Sequence, residues 1–175
     1  RLSRFMSFLD PGADPSGSGF HITQILIALG SGGLHGLGLG ESRQKFFYVP
    51  GAHTDGIFAI VGEETGFIGC MVVLLLLAAL VYRGFRISRA APDGFGSLVS
   101  MGITSWIALQ TLINLGGVTQ SIPLTGIPMP MLSYGGSALI ATLAGIGILL
   151  SVSRYAQEQK DDSRWQETNR QDGGR

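Results

Sequence analysis

The sequence has little cysteine and little charge. Cysteine occurs once, at Cys70, which excludes an internal disulfide framework and a cysteine-based metal cluster. Charged residues make up 14% of the chain and the formal net charge is zero, so nothing indicates a nucleic-acid partner. The chain opens at Arg1 in a polar stretch, and we expect it to be the C-terminal part of a longer protein.

Glycine and apolar residues are abundant instead. The chain contains 27 glycines, and 45% of its residues are hydrophobic. This composition favours a helical membrane protein over a soluble domain of the same size. The predicted fold class is therefore an all-α polytopic membrane protein.

Three apolar runs predict three transmembrane helices, at 57 to 82, 98 to 117 and 134 to 153. Each is long enough to cross a bilayer, which needs about 20 residues. In the second run, polar residues recur at helical spacing and predict a strip that faces neighbouring helices: Ser100, Thr104, Thr111 and Asn114. In the third run, small residues four positions apart predict close helix packing: Ser137, Ala141 and Gly145.

The distribution of arginine and lysine predicts the orientation. Basic residues cluster in the loop from 83 to 97 and in the tail from 154 to 175, whereas the loop from 118 to 133 has none. Basic segments stay on the cytoplasmic side, so residues 1 to 56 and 118 to 133 are expected outside. The tail has mixed charge and low hydrophobicity, and it is predicted to be disordered.

The outer segment from 1 to 56 contains an apolar stretch, "FHITQILIALG" (20 to 30), that is too short to span a membrane. We expect it to form an interfacial or re-entrant helix. A glycine-rich stretch follows, which permits tight turns or close backbone approach to a ligand: Gly30, Gly32, Gly33, Gly36, Gly38 and Gly40.

A histidine and several carboxylates precede or open the first apolar run: His53, Asp55, Glu63 and Glu64. A straight helix running back from Arg83 would place Glu64 about 28 Å away, near the outer edge of a hydrocarbon core about 30 Å thick. Asp55 and Glu63 would be about 12 Å apart, too far for a glycosidase-type pair of carboxylates.

Each polar residue of this region has more than one interpretation. Asp55 alone could act as a general base, while Thr54 or Asp55 could instead be an N-cap. Glu63 and Glu64 could orient neighbours, bind a cation or pair with other groups.

Earlier in the chain, Arg43 and Lys45 fit a phosphate site or a solvated loop. Prolines keep the loop from 119 to 137 out of a regular helix, and this loop also contributes Ser133 and Tyr134.

Two long stretches resemble the C-terminal half of the FtsW/RodA/SpoVE proteins, the SEDS family. They are "GSGGLHGLGLGESRQKFFYVPGAHTDGIFAIVGEETGFIG" and "IPLTGIPMPMLSYGGSALIATLAGIGILLSVSR", and they occur in the family's order. The resemblance covers about residues 1 to 155. The sequence departs from the family's usual pattern at Gly51, Gly56 and Ala138, and the first departure implies that a carboxylate at 51 is dispensable or that this member works differently.

The resemblance implies a peptidoglycan glycosyltransferase that polymerises lipid II on the outer face of the bacterial cytoplasmic membrane. Asp55, in the HTD motif, would be the catalytic base. The expected substrate-binding residues are Gln24, Arg43, Lys45, His53, Thr54, Glu63, Glu64, Ser133 and Tyr134. No cofactor is identified beyond a divalent cation that could assist pyrophosphate departure, and no metal ligand is assigned.

The resemblance also implies a class B penicillin-binding transpeptidase, other divisome proteins and membrane lipids as partners. "SRQKFFYVPGAHTD" is more similar to the division branch, FtsW, than to the elongation branch, RodA. The alternatives are a RodA-type polymerase of cell elongation, a lipid II flippase and a structural scaffold of the divisome.

Overall fold

A computed structural model describes residues 18–38, 40, 56–123 and 125–172. Within these residues the regular secondary structure is helical, in the order α1 (Ser18–Ser31), α2 (Ile57–Ala90), α3 (Gly94–Val118) and α4 (Gly136–Asp172). α2, α3 and α4 are long and apolar enough to cross a membrane. The predicted all-helical architecture with three spans is therefore confirmed.

α1 occurs where the sequence predicts a short interfacial or re-entrant helix. Its 14 residues give a length of about 21 Å, less than the hydrocarbon thickness of a bilayer. Ile25 and Ala28, three residues apart, are buried against α2, while Leu26 and Ile27 stay exposed. α1 is therefore a helix packed on the flank of the bundle.

α2 and α3 form an antiparallel pair with a short connection. The Ser88 hydroxyl donates a hydrogen bond of 2.9 Å to the Ser97 carbonyl, and Asp93 caps α3 by accepting from the Gly96 N–H at 2.7 Å. The sequence predicted a loop from 83 to 97, but α2 continues to Ala90 and α3 begins at Gly94. Because arginine is a good helix former, α2 continues beyond the end of the apolar run from which the span was predicted.

The polar strip of α3 faces its neighbours as predicted. Ser100, Thr104 and Asn114 are buried, while Thr111 is half-buried. The two threonine hydroxyls of the strip are satisfied within the helix: Thr104 donates to the Ser100 carbonyl at 2.7 Å, and Thr111 donates to the carbonyl of Ile107 at 2.9 Å.

The packing face of α4 differs from the prediction. Ser137 and Ala141 are exposed, and the buried residues are Thr142, Gly145 and Leu149. Gly145 allows the approach of α3, because an added Cβ would lie 3.1 Å from the Ile103 side chain. Only Gly145 of the predicted small-residue row therefore packs within the described residues, since the face is set by the larger residues three and four positions away.

The predicted disordered tail is also helical in the structure. α4 continues through the tail to Asp172, and Arg154 pairs with Glu158 at 3.0 Å, one turn further along. The stretch from 154 to 172 contains no glycine or proline, and pairs of this kind stabilise exposed helices. The tail is too polar to pack in the hydrophobic core, but low hydrophobicity does not prevent it from continuing the helix.

Candidate active site

α2 is broken at Gly66, where φ is 68° and ψ is −168°. Only glycine adopts this backbone conformation readily. The straight helix assumed from the sequence is therefore wrong at this point. The residues before the break, including Glu63 and Glu64, follow a different path from the long apolar part of α2.

The break is closed by an exchange of backbone hydrogen bonds with the glycine-rich loop after α1. In an unbroken helix, the N–H groups of residues 67 and 68 would donate to the carbonyls of 63 and 64. Here those two carbonyls accept instead from the N–H groups of Leu37 and Gly38, at 2.9 and 3.1 Å. In return, the N–H groups at 67 and 68 donate to loop carbonyls, namely Phe67 to Gly33 at 2.9 Å and Ile68 to Leu34 at 3.4 Å.

Glycine is required on both sides of this exchange because the two backbones touch. A Cβ on Gly36 would collide with the carbonyl of Glu64, and one on Gly32 would collide with the carbonyl of Gly62. A Cβ on Gly66 would collide with the Gly36 nitrogen and lie 2.6 Å from the Leu34 oxygen. The glycine-rich stretch thus approaches another part of the chain closely, which is one of the two roles that its composition permits.

The exchange of hydrogen bonds lies at the depth of the membrane core, which explains why each of its backbone groups needs a partner. Phe67 lies about 24 Å from Arg83 along the regular part of α2, within a hydrocarbon core about 30 Å thick. Backbone groups at that depth have no water to bond with and must be satisfied within the protein. A broken membrane helix therefore needs a partner segment, and the loop from 32 to 38 supplies it.

Of the candidate polar residues near the break, Glu63 is buried most deeply. It is 1% exposed, whereas Glu64 and Gln24 are half-buried. Its own carbonyl belongs to the exchange described above. The backbone of Glu63 is consequently held in place by the exchange, and its side chain is enclosed by protein.

The loop between α3 and α4 folds back onto α3. Gln110 donates to the carbonyl of Pro128 at 2.9 Å, and Asn114 donates to the carbonyl of Ile127 at 2.8 Å. Gln110 is eight residues before the end of α3 at Val118, so the loop descends about 12 Å alongside the helix. Polar side chains of α3 thereby satisfy loop carbonyls below the helix end.

Ser133 and Tyr134 have different surroundings in this loop. The Ser133 hydroxyl accepts from the N–H of Met129 at 2.7 Å, and the Ser133 N–H donates to the Met129 carbonyl at 3.1 Å. Ser133 therefore closes one tight turn, while Tyr134 is 84% exposed. Of these two predicted substrate-binding residues, Tyr134 is the one whose side chain is open to a ligand.

One hydrophobic cluster brings these separate segments together. Met129 from the loop and Val118 from the end of α3 are buried in the same core as Phe58 and Ala59 from the start of α2. Ile25 of α1 belongs to the same cluster. The start of α2 is therefore the point at which α1, the end of α3 and the loop after α3 converge.

Five of the predicted site residues lie outside the described part of the chain: Arg43, Lys45, His53, Thr54 and Asp55. The first described residue after them, Gly56, is the N-cap of α2 and makes no side-chain capping bond. The N-cap proposed at Thr54 or Asp55 also falls outside the described residues, and α2 itself begins at Ile57.

A groove of about 660 Å³ adjoins the break in α2. Its walls come from α1, α2 and the end of α3, and they include Leu29, Gly66, Phe67, Met71 and Leu115. The lining is mostly apolar, which suits a hydrocarbon chain. Within the described ranges, no group of three or more His, Cys, Asp or Glu residues is arranged to hold a metal ion.

Sequence reasoning missed Gln110, Gly66 and the role of Asn114 in this region. Asn114 was predicted only as part of a strip facing neighbouring helices, but it holds the loop after α3 together with Gln110, and Gly66 breaks α2. A glycine inside a helical pattern and directly after two glutamates was a usable signal for the break. The two amides gave a weaker signal, since their partners are carbonyls 13 and 18 residues away.

Comparison with known proteins gives consistent results. The family described as "Cell cycle protein", which comprises FtsW, RodA and SpoVE, matches residues 1–158. "Stage V sporulation protein E" of Bacillus subtilis is 57% identical over 157 residues, covering 90% of this chain and 43% of the relative. "Probable peptidoglycan glycosyltransferase FtsW" of the same organism is 47% identical over 163 residues, covering 91% of this chain and 40% of the relative.

Two solved structures are also similar. A chain from a peptidoglycan synthase complex that coordinates polymerization and crosslinking matches with a TM-score of 0.68 and 32% identity, over 88% of this chain and 41% of that chain. The rod shape determining protein RodA of Thermus thermophilus matches with a TM-score of 0.57 and 37% identity, over 74% of this chain and 39% of that chain. This chain thus spans about two fifths of the length of the proteins it resembles.

Proposed function

Because the chain belongs to the FtsW/RodA/SpoVE family of cell cycle proteins, we propose that it is part of a peptidoglycan glycosyltransferase. The enzyme polymerises lipid II into glycan strands during bacterial cell division. Several relatives carry the name of such a glycosyltransferase. The chain is a multi-pass membrane protein, as an enzyme acting on a lipid-linked substrate requires.

The observation that carries the proposal is the convergence at the start of α2. The HTD motif ends at Asp55, one residue before the helix cap Gly56. Phe58 and Ala59, just beyond it, share a core with Met129 and Val118. A reactive carboxylate needs rigid support, and this packing makes the backbone directly beside the motif rigid.

In the proposed reaction, Asp55 accepts a proton from the acceptor sugar hydroxyl. The resulting oxygen nucleophile attacks the anomeric carbon of the donor sugar, and the bond to undecaprenyl pyrophosphate breaks. A positioned general base contributes about 10²- to 10⁴-fold to rate. Arg43, Lys45 or a divalent cation would stabilise the negative charge that develops on the leaving pyrophosphate.

Glu63 and Tyr134 have supporting roles in this proposal. The buried carboxylate of Glu63 orients groups from neighbouring segments, and the backbone that bears it is anchored by the exchange. Tyr134, exposed in the loop two residues before α4, is available to contact substrate. The apolar groove beside Gly66 takes part of the prenyl chain.

The active site lies on the extracytoplasmic side, as the distribution of arginines implies. A class B penicillin-binding transpeptidase is the proposed partner, since a new glycan strand must also be crosslinked. The similar chain from a complex that coordinates polymerization and crosslinking supports this pairing. Other divisome proteins are further proposed partners.

The test is lipid II polymerisation by the full-length protein reconstituted in liposomes. Asp55→Asn should lose about 10²-fold or more of the polymerisation rate, because an amide cannot accept the proton. Asp93→Asn is the matched control: it makes the same change at the cap of α3, and asparagine caps as well as aspartate.

Four outcomes contradict the proposal in different ways. Normal polymerisation by Asp55→Asn, with only lower thermal stability, would mean that Asp55 caps or packs and is not the base. Neither polymerisation nor transport of lipid II by the wild-type protein would indicate the divisome scaffold. Transport of lipid II without polymerisation by the wild-type protein would indicate the flippase. Polymerisation that supports elongation but not division, in cells depleted of each native polymerase, would indicate the RodA-type enzyme.

A further inference from the structure

A second pocket lies at the opposite end of the bundle, between α2 and α4. Its volume is about 410 Å³, and it is lined by Arg83, Arg86, Ile87, Ala90, Leu150, Ser153 and Ala156. The α2 members are spaced three, four and seven residues from Arg83, which places them on one face of the helix. Two arginines and Ser153 therefore line a groove that is otherwise apolar.

The arginines lie at the level of the lipid headgroups. The apolar run of α2 ends at Tyr82, immediately before Arg83, and the apolar run of α4 ends at Ser153. The pocket thus lies at the level where the apolar runs of α2 and α4 both end. A ligand that fills it must be charged or polar at one end and apolar at the other.

The charge of the pocket selects an anion. Arg83 and Arg86 are exposed, and neither forms an ion pair in the part of the chain that the structure describes. The nearby ion pair joins Arg154 to Glu158 and leaves the pocket's own cations unneutralised. Guanidinium groups bind phosphate with two parallel hydrogen bonds, and the Ser153 hydroxyl can add a further donor.

We propose that this pocket binds the headgroup of an anionic phospholipid of the cytoplasmic leaflet. The phosphate lies between Arg83 and Arg86, and the start of an acyl chain lies against Ile87 and Leu150. Basic pockets between transmembrane helices on the cytoplasmic side bind anionic headgroups in other membrane proteins. The site is separate from the candidate active site and does not depend on the proposed polymerase activity, while its place in the cytoplasmic leaflet rests on the proposed orientation.

The test measures the binding of phosphatidylglycerol to the full-length protein in detergent by native mass spectrometry. The double variant Arg83→Gln/Arg86→Gln removes both cations of the pocket. The matched control is Arg89→Gln/Lys160→Gln, which removes the same charge from exposed positions outside the pocket. Thermal melting of each variant confirms that it is folded.

We expect the pocket variant to bind phosphatidylglycerol about 25-fold more weakly, since each basic residue near a lipid surface contributes about fivefold. The control should change by less than about threefold, because screened charges outside the site contribute little. Arg83→Lys/Arg86→Lys should retain part of the affinity, as it keeps the charge but loses the paired geometry.

Several results would overturn the proposal. Equal losses in the pocket variant and the control would mean that only general surface charge attracts the lipid. If phosphatidylcholine bound as tightly as phosphatidylglycerol, the groove would recognise only the acyl chains and not the anionic headgroup. Binding of undecaprenyl pyrophosphate without binding of phosphatidylglycerol would assign the pocket to a different lipid.

Discussion

Substitution of Gly66 by alanine tests whether the backbone exchange positions the candidate site. The φ of 68° and ψ of −168° at this residue cost a non-glycine residue about 1 to 3 kcal/mol. The new Cβ would also lie 2.6 Å from the Leu34 oxygen, and that oxygen is part of the backbone. The loop from 32 to 38 must therefore move away.

The alanine variant has no inexpensive alternative conformation. If α2 straightens, the N–H groups at 67 and 68 regain their helical partners, but four loop groups lose theirs: the N–H groups of Leu37 and Gly38 and the carbonyls of Gly33 and Leu34. A buried backbone group without a partner costs about 1 to 3 kcal/mol. We therefore expect attachment of the loop to weaken by about 2 to 4 kcal/mol, once partial relaxation is allowed for.

Hydrogen exchange followed by mass spectrometry on the full-length protein measures this attachment. A loss of 2 to 4 kcal/mol corresponds to roughly 30- to 1000-fold faster exchange of the amides at 37 and 38. Gly30→Ala is the control, because an added Cβ there meets nothing within 4 Å. If Gly66→Ala is folded and its loop exchanges as slowly as in the wild type, the exchange of hydrogen bonds does not hold the loop.

Three further predictions concern the supports of the bundle. Asn114→Leu removes the donor to a loop carbonyl, so chymotrypsin, which cleaves after residues such as Leu132 and Tyr134, should cut the loop after α3 faster, by a factor of about 10 for a loss of about 1.5 kcal/mol. Gly84→Ala should destabilise the protein by about 1 to 3 kcal/mol because the new Cβ collides with the Thr104 side chain, and Thr104→Ala in the same chain should restore most of the loss in a thermal melt. Asp93→Ala removes the cap of α3 and should cost about 1 kcal/mol by the same measurement, whereas Asp93→Asn should not.

The regular parts of the fold were predictable because lipid imposes one simple rule. A run of about 20 apolar residues must be helical, since no other segment satisfies its own backbone in a bilayer. The polar strip of α3 was predictable for a related reason, as Ser100 and Thr104 can only face protein. The ends of the helices were not predictable from apolar runs, because α2 and α4 continue beyond the hydrocarbon.

The candidate site was only partly predictable because its geometry depends on contacts between distant segments. Glu63 and the glycine-rich loop were recognised separately, but nothing local in the sequence pairs residue 37 with residue 63. The same holds for Asn114 and the carbonyl of Ile127. A carbonyl is present at every residue, so the sequence does not mark which one a side-chain amide will bind.

The exchange also explains which residues of the two paired segments can vary. All four hydrogen bonds join backbone atoms, and the side chains of Leu34 and Phe67 are 65% and 60% exposed. Replacing either side chain with another apolar one leaves every bond of the exchange in place. Replacing Gly36 or Gly66 does not, because a Cβ at either position enters the opposite backbone. The backbone position of Glu63 therefore depends on residues that have no side chain at all, because only glycine at 36 and 66 lets the two paired segments meet.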